Sequence, residues 1–207
     1  MSKNNPILQV KDLTVSFNAF AGKVQAVRGV SFDLNKGETL CIVGESGSGK
    51  SVTNKAIMGI LSKNAVIDRG EILYDGMDLT KLTEGQFCQI RGKRIAMVFQ
   101  DPLSALNPIM KVGKQITETL CVHQKLSHEQ AKKRALELMA AVGIPEPEKR
   151  FNQYPFQFSG GMRQRIVIVI ALACNPEILI CDEPTTALDV TIPVSYTHLT
   201  LPTTSRV

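Results

Sequence analysis

Hydrophobic and polar residues alternate through most of the first forty positions of the chain. The stretches ILQVKDLTVSF and VQAVRGVSFDL place apolar side chains at about every second residue, and a glycine-containing turn at 21–23 separates them. A period of two is typical of β-strands that bury one face. The pattern therefore predicts two β-strands joined by a short turn.

Beyond residue 37, short apolar runs alternate with segments of helical character. ETLCIVG (38–44) is predicted as a strand, a glycine-rich turn follows, and KSVTNKAIMGIL (50–61) is predicted as a helix. Further short strands are predicted at 72–74 and 95–99. This alternation is typical of an α/β domain.

Residues from about 112 to 143 are helical in pattern. Ser127 and Gln130 form a capping box before a stripe of apolar residues, and Gly143 and Pro145 end the helix. We therefore expect a helical insertion between about residues 101 and 157. The run IVIVIALAC (166–174) remains open, because its β-branched residues also suit a buried strand, whereas EILIC (177–181) is a cleaner buried strand.

Composition and charge exclude several classes of protein. The chain has 207 residues, of which 43% are hydrophobic, and this is enough for one good core. Its longest apolar run, 166–174, is about half of a membrane-spanning helix, and no targeting segment is visible, so we expect a soluble protein that is able to dock on a membrane protein. The net charge is +5, but the basic residues are scattered, which favours a solvated surface over a nucleic-acid partner.

Cysteine usage indicates reduced thiols in a cytosolic protein. The chain has five cysteines, an odd number, and none is spaced as CxxC, which argues against a disulfide framework or a zinc site. The five are Cys41, Cys88, Cys121, Cys174 and Cys181.

The sequence at 44–51 fits the phosphate-binding loop GxxxxGK[ST]. Glycines at these positions let backbone N–H groups turn toward phosphate oxygens, and the helix that follows adds its positive end. Lys50 is expected to reach the β- and γ-phosphates, and the Ser51 hydroxyl to hold Mg²⁺. The predicted ATP-binding residues of the loop are Gly44, Glu45, Ser46, Gly47, Ser48, Gly49, Lys50 and Ser51.

A second acidic motif ends the predicted strand at 177–181. Asp182 is expected to hold Mg²⁺, and Glu183 to orient or deprotonate a water that attacks the γ-phosphate. Two carboxylates after a strand are also common as a simple loop start, so the phosphate loop upstream carries much of this interpretation.

Between the two motifs lies SGGMRQR (159–165), which resembles the signature of ABC ATPases. Across residues 7–192 the motifs follow one another in an order similar to that of the family. They are the phosphate loop, the glutamine-containing loop, the signature, the acidic strand end and Ala187-Leu188-Asp189. The resemblance implies a P-loop NTPase fold of the α/β class, an ABC ATPase core with an N-terminal antiparallel β subdomain and a helical subdomain at about 101–174. It also implies that 161–174 is a helix.

The resemblance assigns further roles residue by residue. Ser159, Gly160 and Gly161 are expected to bind the γ-phosphate of ATP on an opposite subunit, so a homodimer or heterodimer is implied. Gln100 would contact Mg²⁺ and contribute to catalysis, although a polar residue that merely ends a strand is the competing interpretation. Phe17 would stack on adenine unless it is a core residue, and Asp189 would face the other subunit unless it only caps a helix.

The run QDPLSALNP (100–108), with GESGSGKS and DEPTTALDVT, is similar to ATP-binding subunits of the oligopeptide/dipeptide/nickel importers. This implies an ATPase at the cytoplasmic face of a bacterial membrane that works with permease subunits and, indirectly, a substrate-binding protein. The resemblance implies transport of short peptides or nickel, and the sequence of this chain does not identify which, because the binding protein and the permeases select the substrate. A non-transport ABC ATPase of DNA repair or translation is the alternative class.

The chain departs from the family pattern after Ile192. Residues 193–207 are rich in Thr and Pro and have no helical periodicity, and His198 comes too early to be the family's switch histidine. We interpret this tail as a translated sequencing or assembly artefact, and we expect the chain to lack the C-terminal part of the ABC ATPase domain. The corresponding functional alternative is a nucleotide-binding remnant without steady turnover.

Overall fold

The structure, a computed structural model, describes residues 6–20 and 22–183. The chain divides into two compact units, residues 1–89 and 90–207. Asp189 and the tail at 193–207 lie outside the described residues, so the predictions made for them stay predictions.

The first unit is built around an antiparallel sheet. Its four strands have the order β2-β1-β3-β4. The strands are β1 Leu8–Ala19, β2 Gly22–Leu34, β3 Ala65–Tyr74 and β4 Met77–Asp78. The two predicted N-terminal strands and the strand predicted at 72–74 are therefore confirmed.

Strand β1 is the centre of this sheet and is irregular in its middle. It pairs with β2 on one side and β3 on the other, and the register shifts near Leu13 on both sides. Asp12 adopts φ 48° there, and Gly70 lies so close that a Cβ would meet the Lys11 and Asp12 carbonyl oxygens at 2.6 Å. Glycine is therefore required at position 70, because the bulged backbone leaves no room for a side chain.

A helix follows the glycine-rich loop, as predicted. This helix, α1, spans Lys50–Ile57 and buries Thr53, Ala56 and Ile57. A 3₁₀ turn at Leu79–Lys81 and helix α2, Glu84–Ile90, come next.

The strand predicted at 38–44 is absent, which makes that prediction wrong for the described residues. The segment has no strand assignment, and Leu40, Ile42 and Val43 are exposed to 40%, 42% and 88%. Apolar periodicity favours a strand, but a strand exists only when a neighbour accepts its backbone hydrogen bonds. No described strand pairs with this segment.

The second unit combines a short parallel sheet with helices. Strand β5 (Ile95–Val98) pairs in parallel with β6 (Ile178–Cys181), with Ile95 opposite Ile178 and Val98 opposite Cys181. The helices are α3 Pro102–Ala105, α4 Val112–Gln124, α5 His128–Ala141, α6 Pro147–Arg150 and α7 Gly160–Leu172, with a 3₁₀ turn at Pro155–Gln157. The predicted strands at 95–99 and 177–181 and the helical character of 112–143 are confirmed.

Helix α5 begins with the predicted capping box. Ser127 Oγ accepts a hydrogen bond from Gln130 N, and Gln130 Oε1 accepts one from Ser127 N. At the other end, Arg165 donates from Nη1 to the carbonyl oxygens of Val142 and Gly143, at 3.2 and 2.9 Å. Both ends of α5 thus have partners for main-chain groups that the helix itself leaves unpaired.

The ambiguous segment at 161–174 is helical, as the family resemblance implied. Helix α7 is apolar on nearly every face, and Ile166, Val167, Ile168 and Val169 are all buried. Helices α3, α4 and α5 and strand β5 all pack against it. Burial on all sides offsets the weak helix preference of β-branched residues. In the described part of the chain, no helix has the length and hydrophobicity to cross a membrane.

Candidate nucleotide-binding site

The phosphate loop has a backbone that glycine makes possible. Gly47 and Gly49 have φ values of 82° and 92°, in the left-handed region. A Cβ at Gly44 would come within 2.6 Å of Ser48 Oγ, and one at Gly49 within 2.6 Å of the Ala26 carbonyl oxygen on β2. The three glycines of this loop therefore serve different needs: Gly47 and Gly49 supply positive φ, and Gly44 and Gly49 allow close packing.

Lys50 closes the loop on itself. Its Nζ donates to the carbonyl oxygens of Gly44 and Glu45 at 2.7 and 3.0 Å. The ammonium group is thus held within the curve of the loop, where it adds positive charge to the backbone amides. The prediction that Lys50 reaches the β- and γ-phosphates stays a prediction.

The start of α1 suits an anion. Gly49 is the N-cap residue, no side chain caps the helix, and no acidic residue lies in its first turn. Uncapped N–H groups and the helix dipole both favour negative charge at this point. Ser51, in the first turn, is half-buried. The loop and the helix start together fit a phosphate group.

The carboxylates of the second unit follow β6. Asp182 is buried and donates from its backbone N to the Val98 carbonyl oxygen at 3.0 Å, which extends the pairing of β5 and β6. Glu183 is exposed and adopts φ 49°. Gln100 Nε2 donates to Glu183 Oε2 at 2.6 Å. The parallel strands thus bring together Gln100 and Glu183, two residues that the sequence predicted separately.

The donor set at this strand end fits a hard cation. Carboxylate and amide oxygens are protein ligands that suit Mg²⁺, which usually takes one or two carboxylates beside phosphate and water. The described residues contain no group of three or more His, Cys, Asp or Glu that would hold a metal. Cys181 keeps accessible surface, but surrounding protein desolvates the thiol and raises its pKa, so it does not compete as a thiolate.

The signature turn lies at the start of α7 and faces solvent. Ser159 Oγ accepts a hydrogen bond from Met162 N at 3.4 Å, and Ser159 and Gly160 are both exposed. A Cβ at Gly160 would meet nothing within 4 Å. Arg163 Nε donates to the Phe158 carbonyl oxygen at 2.9 Å, which fixes the chain just before the turn. This turn is free to contact another molecule.

Phe17 lies near the end of β1. It pairs with Val24 on β2 and Ala65 on β3 and is half-buried, so it is neither a core residue nor fully open. Sequence reasoning overlooked Phe20, which is fully exposed just beyond the strand. An aromatic residue at a turn leaves no periodic signal, so the exposure of Phe20 emerged only from the fold.

Comparison with known proteins decides the family. The family model described as ABC transporter matches residues 27–186, most of the chain. The chain belongs to this family. Among curated relatives, the oligopeptide transport ATP-binding protein OppD of Bacillus subtilis is 61% identical over 93% of this chain and 54% of its own length. The dipeptide transport ATP-binding protein DppD of Lactococcus lactis is 59% identical over 93% and 56%. This ABC transporter chain therefore spans just over half the length of these relatives.

Solved structures agree with the family at the level of the fold. The dimeric structure of MJ0796, described as a bacterial ABC transporter cassette, superposes with a TM-score of 0.82 at 30% identity, covering 92% of this chain and 80% of the other. A post-hydrolysis dimer of the same cassette, bound to ADP and phosphate, gives a TM-score of 0.83. The predicted α/β ABC ATPase fold is thereby confirmed.

Proposed function

We propose that this chain is the ATP-binding part of a subunit that hydrolyses ATP to drive an importer of short peptides. The observation that carries ATP binding is the phosphate loop, whose glycine-dependent backbone and inward Lys50 amine precede an uncapped helix. The peptide class is supported by the names of the oligopeptide and dipeptide transport relatives.

In this proposal the loop holds the phosphates and oxygen ligands hold the metal. Lys50 exchanges its bonds to the Gly44 and Glu45 carbonyls for phosphate oxygens, which a cation binds more strongly. Ser51, Gln100 and Asp182 are the residues that would hold Mg²⁺. When bound, the metal would neutralise charge on the phosphates. Phe17 would stack on the adenine.

Glu183 is proposed as the general base. Its carboxylate accepts a hydrogen bond from Gln100 Nε2 through Oε2, which orients the carboxylate to take a proton from water. The water oxygen then forms a bond to the γ-phosphorus while the bond from phosphorus to the bridging oxygen breaks, giving ADP and inorganic phosphate. Gln100 contributes to catalysis by fixing the base.

The exposed signature turn supports action as a dimer. Ser159, Gly160 and Gly161 would bind the γ-phosphate of the nucleotide held by a second ABC ATPase subunit, and Asp189 would face that subunit. The MJ0796 cassette, similar in fold, is described as dimeric. Permease subunits are the proposed membrane partners, which would place the protein at the cytoplasmic face of the membrane.

The test is ATP hydrolysis by the purified chain, with Lys50→Ala as the inactive variant and Lys55→Ala as its matched control. Lys55 is an exposed lysine in the last turn of the same helix. We expect Lys50→Ala to lose nucleotide binding and hydrolysis and Lys55→Ala to keep both. Wild-type protein that binds no ATP, or equal activity in the two variants, would refute the proposal.

A further inference from the structure

Gln164, near the end of the signature sequence, has a buried side-chain amide without a hydrogen-bond partner. It lies on α7 with 1% of its surface exposed. Neither Nε2 nor Oε1 has a hydrogen-bond partner in the structure, a property shared by few side chains among the described residues. Buried side-chain polar atoms are bonded in the large majority of cases, so such an amide calls for an explanation.

The two arginines that flank Gln164 both donate hydrogen bonds to main-chain carbonyl oxygens, whereas the Gln164 amide bonds none. Arg163 donates to the Phe158 carbonyl oxygen before the signature turn, and Arg165 donates to the end of α5. Both therefore hold α7 in place through main-chain carbonyls. Gln164 lies between them in sequence, has the same ability to bond main-chain groups, and is directed into the apolar interior of this unit instead.

An unpaired buried amide destabilises the arrangement that contains it. The unfolded chain can bond this amide to water, and no described protein group replaces those bonds in the fold, whereas an apolar side chain of the same shape would lose nothing. The same amide would favour any arrangement in which a main-chain group moves within bonding distance. Gln164 therefore disfavours the arrangement seen here relative to any arrangement that pairs its amide.

Among the elements that pack against α7, the short helix after Gln100 is a candidate source of main-chain groups for the amide. Helix α3, Pro102–Ala105, packs against α7 and begins two residues after Gln100. A helix of four residues leaves most of its N–H and C=O groups without partners inside the helix. Gln164 itself lies one turn beyond Gly160 and Gly161, on the same side of α7.

We propose that Gln164 is a positioning residue that couples the signature turn to Gln100. Its amide stays unbonded in the arrangement seen here and bonds the main chain of α3, Pro102–Ala105, when nucleotide binding shifts the segment that follows Gln100. The bond would hold α3 against α7 and so keep Gln100 and the signature turn in a fixed relation during hydrolysis. This inference rests on the proposed ATPase function.

The test compares Gln164→Met with Gln115→Met. Gln115, on α4, uses its amide fully: Oε1 accepts from Asn107 N, and Nε2 donates to the carbonyl oxygens of Asn107 and Met110. We expect Gln164→Met to raise the melting temperature by about 2–4 °C and Gln115→Met to lower it. ATP affinity should stay within about twofold of wild type in both, because the phosphate loop is untouched.

The rate of ATP hydrolysis distinguishes a positioning role of Gln164 from a simple packing defect at that position. We expect the rate of hydrolysis at saturating ATP to fall at least about tenfold in Gln164→Met, a loss of transition-state stabilisation without loss of substrate binding. Gln115→Met should keep the wild-type rate while folded. A more stable Gln164→Met with wild-type turnover, or a less stable one, would overturn this inference and leave the proposed function standing. No turnover by the wild type would overturn both.

Discussion

The two glycines of the phosphate loop with positive φ provide a test of how the loop binds phosphate. Gly47 and Gly49 both have positive φ, at 82° and 92°. A Cβ at Gly47 would meet nothing within 4 Å, whereas one at Gly49 would lie 2.6 Å from the Ala26 carbonyl oxygen and 3.2 Å from Val27 Cγ2. Gly47→Ala therefore imposes backbone strain alone, and Gly49→Ala adds a collision with β2.

The expected magnitudes follow from these contacts. Holding an alanine in the left-handed region costs about 1–2 kcal/mol, and this applies to both variants. The collision at Gly49 adds about 1–3 kcal/mol, a cost typical of overpacking, because the Ala26 carbonyl belongs to a strand paired in the sheet and cannot move freely. A variant loop that relaxes away from this conformation must return to it when phosphate binds. The free energy needed for that return weakens ATP binding by the same amount. We therefore expect Gly49→Ala to bind ATP about 5- to 150-fold more weakly than Gly47→Ala.

The assay titrates each variant with a fluorescent ATP analogue at one temperature and measures its affinity. A thermal melt of each variant measures its stability. The melt separates loss of nucleotide affinity from loss of fold, because both variants must be mostly folded at the titration temperature. Equal affinities for the two variants, or wild-type affinity in Gly49→Ala, would refute the idea that close packing of the loop on β2 sets the phosphate site.

Two further predictions concern the second unit. Glu183→Gln should bind ATP as wild type does but hydrolyse it about 100- to 10,000-fold more slowly, measured as single-turnover phosphate release, and a wild-type rate would assign the base to another group. Arg165→Met should lower the free energy of unfolding by about 1.5–3 kcal/mol in a urea titration, because it removes the charged donor at the end of α5. A loss below about 0.5 kcal/mol would show that these bonds do not stabilise the fold.

Local features were predictable from the sequence. The capping box of Ser127 and Gln130 and the strands β1 and β2 depend on residues close together in the chain, and each was found where the pattern indicated. The motif of the phosphate loop is local in the same sense, since all of its residues lie within eight positions. The chemistry expected of the chain rests on such local motifs.

Contacts between distant segments were decided by the fold. The Gln100 to Glu183 hydrogen bond joins residues 83 positions apart and exists because β5 and β6 pair in parallel. The unpaired amide of Gln164 was equally invisible in the sequence, where a glutamine between two arginines indicates a polar surface.

Secondary structure itself was decided by tertiary contacts in two places. The β-branched run at 166–174 suits a strand by composition, yet it forms α7 because packing on all sides stabilises a buried helix. The apolar run at 38–44 suits a strand equally well, yet it forms none among the described residues. A sequence specifies by itself which residues prefer to be buried and which turns are allowed. Whether an apolar run becomes a helix or a strand depends on the partners that reach it, because a helix satisfies its own backbone and a strand does not.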